Sequence, residues 1–172
     1  MSRRIVLALC LVLISLTTMA QTLDKRVLTH TTPYGTMYFI SDKKLSKHSQ
    51  DVKKFMYDVT CIEMRDSVVI NSTLVSANPN DVAELSLTNG EQTVKADSVG
   101  VLYHQIKGSK YEIRTTARIS YADFKSVCSG ASPVEFRMVR TDGTPCSATY
   151  SDSQWKKEKE FFERVFYVIN KK

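Results

Sequence analysis

Between Tyr111 and Ile119 the sequence alternates without a break. Tyr111, Ile113, Thr115, Ala117 and Ile119 fall on one side of an extended chain, and Glu112, Arg114, Thr116 and Arg118 on the other. A period of two over nine residues is the pattern of a β-strand with one face in a core and one in water. A helix would scatter these residues around its circumference. The rest of the chain therefore has to supply strands beside this one and a cover for its apolar face.

Neighbours are easy to find. Val99–Ile106 reads as a strand, reversed into Tyr111–Ile119 by Lys107-Gly108-Ser109-Lys110. Leu85 and Leu87 lead into Asn89-Gly90, with Val94 and Ala96 beyond. That dipeptide predicts a two-residue hairpin turn with both central residues at positive φ. Phe55, Tyr57, Val59 and Cys61 alternate with polar positions, and Val68–Val75 returns after the Arg65-Asp66-Ser67 turn. Thr36–Ile40 is a shorter strand. Val134, Phe136 and Met138 form another, closed by Thr141-Asp142-Gly143-Thr144 onto Cys146, Ala148 and Tyr150.

Two segments carry helical signals instead. Ser120-Tyr121-Ala122-Asp123 is a capping box, predicting a helix over Tyr121–Cys128 that Gly130 ends. Asp152–Ile169 places Trp155, Phe162, Val165, Phe166 and Ile169 on one stripe at helical spacing, a face suited to packing on the sheet. The expected fold is mainly β (α+β): an antiparallel β-sandwich or curved sheet, with one short helix and an amphipathic C-terminal helix packed on it.

The chain opens with Arg3-Arg4 and the apolar run Ile5–Leu16, then small residues at Thr18 and Ala20. This predicts a cleaved signal peptide over 1–20, too short to span a bilayer of roughly 30 Å. Met19-Ala20 before Gln21 resembles the export segments of bacterial envelope proteins. The expected layout is a 21–33 N-terminal arm, loose or forming a short edge strand, and a single globular β-rich domain over 34–172. The expected localisation is periplasmic, cell-surface or secreted, with no transmembrane segment after cleavage. Loss of Arg3 and Arg4 leaves 22 Lys and Arg against 18 Asp and Glu, a net +4 in place of +6. That excess is too mild for a nucleic-acid partner.

Three cysteines follow the leader. Cys128 and Cys146 are close in sequence and both inward-facing, so they are the favoured disulfide of the possible pairs; three buried free thiols are the alternative. Asn71-Ser72-Thr73 matches a glycosylation acceptor, relevant only in a eukaryotic host. The lysines of Asp42–Lys54 read as a solvated loop beside a sheet edge, or as an attractor for an anionic partner.

Catalytic signatures are missing: there is no nucleophile elbow, phosphate loop, metalloprotease helix, dinucleotide fingerprint or calcium loop. His30, His48 and His104 lie apart, without metal-ligand spacing, and no cofactor or metal is expected. Cys128 with His104 is the sharpest nucleophile idea, opposed by Cys128's place on an apolar stripe. Asp58, Glu63, Glu84 and Glu112 could serve a small hydrolase of envelope polymers only if the fold paired two of them in a groove.

The binding reading rests on Glu112, Arg114 and Arg118, joined by Arg137 if its strand lies alongside. Such arginines could hold a carboxylate, sulfate or phosphate bidentately, or simply pair with Glu112 and Glu135. The leading expectation is a non-enzymatic exported binding or interaction module. Its partner would be an anionic glycan, a lipid head group or another envelope protein.

Overall fold

The computed structural model describes residues 25–63 and 66–170, so the signal peptide expected over 1–20 lies outside the described residues. The elements run β1 (Val27–Thr32), β2 (Gly35–Lys44), β3 (Lys47–His48), β4 (Val52–Ile62), β5 (Ser67–Ser76), β6 (Val82–Thr88), β7 (Thr93–Lys95), β8 (Ser98–Lys107) and β9 (Lys110–Ser120). Then come α1 (Tyr121–Ser129), β10 (Glu135–Arg140), β11 (Pro145–Thr149) and α2 (Asp152–Asn170). Two antiparallel sheets result, a six-stranded one ordered β1-β2-β4-β5-β9-β8 and a five-stranded one ordered β3-β11-β10-β6-β7. The fold is mainly β and sandwich-like, with the C-terminal helix in place.

The Tyr111–Ile119 segment is the body of β9, held between β5 and β8 near one edge of the larger sheet. Its pairing with β5 is continuous from Ser67↔Ser120 to Ser76↔Tyr111, and Ile113, Thr115, Ala117 and Ile119 are buried. Phe55, Tyr57, Val59 and Cys61 of β4 and Val68, Ile70 and Leu74 of β5 share that inward face. Phe136 of the smaller sheet meets Phe55 and Tyr57 at ring-centroid distances of 5.2 and 4.6 Å. The hydroxyls of Tyr57 and Tyr150 hydrogen-bond to each other, so neither buried O–H is left unpaired.

The remainder of the core is closed by the helices. The Ser120 side chain accepts a hydrogen bond from Asp123 N–H, as the capping box requires. Phe124 of α1 packs edge-on against Phe162 and Phe166 of α2, and Trp155 lies on Tyr150. Burying each such aromatic stabilises by roughly 1.5–3 kcal/mol. The α2 stripe faces inward as its spacing predicts, with one surprise among its buried residues, Glu158.

Several local expectations need correction. The Asn89-Gly90 hairpin has a four-residue loop, since Thr88 pairs with Thr93. Only Gly90 has positive φ there, at 88°. Asn89 is instead an internal cap: its Oδ1 accepts from Glu91 and Gln92 N–H, and its Nδ2 donates to Val127 O. That reach also explains Gly130, whose φ of −62° is ordinary. A Cβ at Gly130 would lie 2.1 Å from Asn89 Nδ2, so the glycine is there for close approach rather than for a left-handed turn.

The favoured Cys128–Cys146 disulfide is not formed. All three cysteines are free and buried. Cys128 sits on the inner stripe of α1 near Cys61 and Glu158, whereas Cys146 belongs to the β11 end beside Arg140 and Asp51. Inward-facing positions in two elements do not put two sulfurs within bonding reach. Of the two forms expected for the arm, its described part takes the edge strand, since Val27–Thr32 pairs along β2 from Val27↔Ile40 to Thr32↔Gly35.

Candidate functional site

The outer face of the six-stranded sheet carries the polar half of every alternating strand. Antiparallel pairing lines its side chains up in rows. One row crosses all six strands: Leu28, Phe39, Thr60, Val69, Arg118 and Ser98. The adjacent row is Asp58, Asn71, Thr116 and Gly100, and the one after it Met56, Thr73, Arg114 and Tyr103. Small side chains fill the middle of the face, and larger ones flank it.

Arg114 is held in this surface by its neighbours. One guanidinium nitrogen pairs with Asp58, and the other donates to Thr73 Oγ1 at 2.8 Å. Asn71 Nδ2 donates to the second Asp58 oxygen at 2.8 Å. The acceptor asparagine of the glycosylation tripeptide is therefore half-buried in mid-strand and already bonded. Beside this network opens a shallow cleft of about 410 Å³ lined by Leu28, Phe39, Ile40, Ser41, Asp42, Asp58, Val59, Thr60 and Arg114. Phe39 is 38% exposed and Leu28 65%. An aromatic face beside carboxylates and hydroxyls can stack on a sugar ring and accept its O–H groups.

Arg118 differs from Arg114. It is exposed, and its guanidinium has no bonding partner among the described residues. It borders a second depression of about 220 Å³, formed with Val69, Ser98, Val99, Gly100, Thr116 and Ala117. Gly100 faces this hollow and leaves it unfilled. A free guanidinium at the rim of a polar hollow is suited to bidentate capture of a carboxylate, sulfate or phosphate.

Glu112 lies on the same face but is fully engaged. Lys107 donates to it at 2.7 Å, Gln105 at 2.9 Å and Tyr103 at 3.1 Å. Hydrogen bonding from Lys107 above all holds its carboxyl below the ordinary carboxylate range, against the opposing effect of burial. Arg137 does not join the group. Its strand, β10, lies in the other sheet, and its Nε bonds Glu135 at 2.7 Å. The sequence places both arginines on polar strand faces but carries no label for which sheet each strand enters.

The remaining candidates are dispersed. Glu63 accepts from Thr36 N–H, and Glu84 pairs with Lys95 on the smaller sheet. His104 sits on β8 with Nδ1 2.9 Å from Asp81, while burial pushes the Cys128 thiol well above its ordinary pKa in the core. The fold gives those two no common site. No group of His, Cys, Asp and Glu among the described residues could hold a metal ion, and no described helix is long and apolar enough to cross a membrane.

Two charge clusters escaped sequence reasoning. Glu158 of α2 is 1% exposed and takes a bidentate pair from Arg26 (2.7 and 3.0 Å) and a third bond from Lys43 (2.9 Å). Arg26 also stacks on Phe161 at 4.1 Å. Arg140, 1% exposed, reaches Asp51 at 2.5 Å and Ser76 at 3.0 Å. Both clusters are internal ties between elements. Compared with known proteins, the chain matches no family, no curated protein and no solved structure.

Proposed function

We propose that this protein is a non-enzymatic, exported binding module of the periplasm or cell surface, and that it takes an anionic glycan on the outer face of its six-stranded sheet. One observation carries the reading. The row from Phe39 to Arg118 sets an exposed aromatic and a guanidinium with no bonding partner among the described residues on the same rigid surface. They stand three strand spacings apart, roughly 14 Å. That span suits two or three sugar units, one stacked on Phe39 beside Asp58 and another presenting its acidic group to Arg118. Export rests on Arg3-Arg4 and the Ile5–Leu16 run.

Calorimetric titration of the purified domain with acidic envelope polysaccharides, and with anionic lipid vesicles as a parallel arm, tests the reading. Arg118→Ala should weaken glycan binding about tenfold, as expected when one charge-assisted contact of roughly 1.5 kcal/mol is lost, and Phe39→Ala should weaken it by a similar factor through the lost stacking. Saturable binding of vesicles with no response to polysaccharide at millimolar levels would replace the glycan by a lipid head group. No binding to either would sink both.

A further inference from the structure

Sheets manage their free edges, and this chain manages all but one. The β3 and β7 edges are two and three residues long, and β1 is followed by the Pro33-Tyr34-Gly35 turn and tied beside Arg26 to α2. The β8 edge is different. It runs ten residues with β9 as its one neighbour among the described residues, has no proline, and carries a single Lys, Arg, Asp or Glu, Lys107 at its end. Val101, Leu102, Tyr103 and Ile106 are exposed, Ile106 at 76%. Long uncharged apolar edges are templates for another strand.

The strand's irregularity identifies its occupant. Val101 pairs with Thr115 and Tyr103 with Arg114, so Leu102 is an extra residue that breaks the alternation. Val99, Val101, His104 and Ile106 consequently share one face, and Ser98, Gly100, Tyr103, Gln105 and Lys107 the other. Two antiparallel copies of β8 related by a two-fold axis between Leu102 and Tyr103 place the extra Leu102 of each opposite Tyr103 of the other. Every other pair then matches in face: Val99 with Ile106, Val101 with His104, Gly100 with Gln105 and Ser98 with Lys107. A strand of regular alternation would need a second two-against-one step to follow the same edge.

Charge agrees with this register. Lys107 is already bonded to Glu112, and the exposed Asp97 of the other copy lies one residue beyond the Ser98 that faces it. His104 Nδ1 lies 2.9 Å from Asp81 Oδ1 on the side away from the free edge. We infer that β8 is a homodimerisation edge, through which two copies fuse their six-stranded sheets into one continuous sheet with both outer faces on the same side. Such a symmetric, isologous pairing closes on itself and leaves no free β8 edge.

Sedimentation velocity on the purified domain over about a hundredfold concentration range tests this, since a dimer's population follows mass action. The expected result is a monomer–dimer equilibrium that Ile106→Lys shifts at least about tenfold toward monomer, the charge now facing Val99 of the other copy. Far-ultraviolet circular dichroism should be unchanged, and the melting temperature should match wild type at concentrations where both are monomeric, because Ile106 is mostly exposed in one copy. The double variant Val99→Cys, Ile106→Cys should form a disulfide-linked dimer under mild oxidation. Seven residues separate the two sites along one extended strand, too far for a bond within one copy. A monomer at all concentrations, or a dimer indifferent to Ile106→Lys, overturns the inference.

Discussion

Removing Arg26 and removing Glu158 should have very different consequences, although they belong to one ion pair. Glu158 is 1% exposed, whereas Arg26 and Lys43 keep side-chain exposures of 27% and 28%. Arg26→Ala leaves a buried carboxylate with one cation in place of two and strips the guanidinium from Phe161. Breaking a buried pair in this way costs about 3–5 kcal/mol, and the surviving Lys43 bond argues for about 3. At this chain length 3 kcal/mol lowers Tm by roughly 6–12 °C. Glu158→Leu, by contrast, frees two cations that can already reach water and puts an aliphatic side chain on a buried helix face. Its cost should stay within about 1 kcal/mol. Urea unfolding followed by the fluorescence of Trp155, the only tryptophan and nearly one turn before Glu158, reads both variants. Urea keeps ionic strength low, so the pair is not screened away. If Glu158→Leu costs as much as Arg26→Ala, the penalty does not come from stranding a buried carboxylate, and the asymmetry between the two partners is refuted.

Other outcomes follow from the same packing. Burial pushes the Cys61 thiol up to about 12 and that of Cys146 up to about 11, and Cys128 well above its usual value. A disulfide reagent at pH 8 should therefore find none of the three reactive in the native protein and all three in urea; rapid labelling of the native form would contradict the burial. Gly130→Ala forces a methyl against Asn89, which is fixed by bonds at both ends of its amide, and should cost about 1–3 kcal/mol. An unchanged melting temperature would show that Asn89 is free to move. The folded pKa of Glu112 lies below its unfolded value, so its stabilisation is present above about pH 4.3 and is lost as pH falls through the folded value. The stability gap between wild type and Glu112→Gln should accordingly close on acidification below about pH 4.3.

Much of the architecture was legible because alternation is a local signal. The buried faces of β4, β5 and β9, the Ser120 cap and the α2 stripe all follow from residues a few positions apart. What was missed depends on distance in space. Arg137 alternates as cleanly as Arg114, yet its strand enters the other sheet. Asn89 looked like a turn residue, and its amide proved to be spent on Val127 of α1, 38 positions away. Cys128 and Cys146 are near in sequence, and the fold does not turn that nearness into contact. Glu158 reads as the polar side of an amphipathic helix until Arg26, 132 residues earlier, is placed against it. The outer face was foreseeable as polar, but its row from Phe39 to Arg118 exists only once strand order is known.

The same separation between Arg26 and Glu158 sets a timetable for the chain during synthesis. The carboxylate that anchors β1 lies in α2, 132 residues after Arg26, and the apolar lid of the core, Phe161, Phe162, Val165 and Phe166, emerges with it. Hairpins such as β8–β9 can close early, because their loop-closure cost is small. The first strand, however, has no buried charge partner until α2 is complete, and long-range contacts of this kind slow folding. A nascent chain that has not yet reached α2 is therefore an open sheet with its core uncovered.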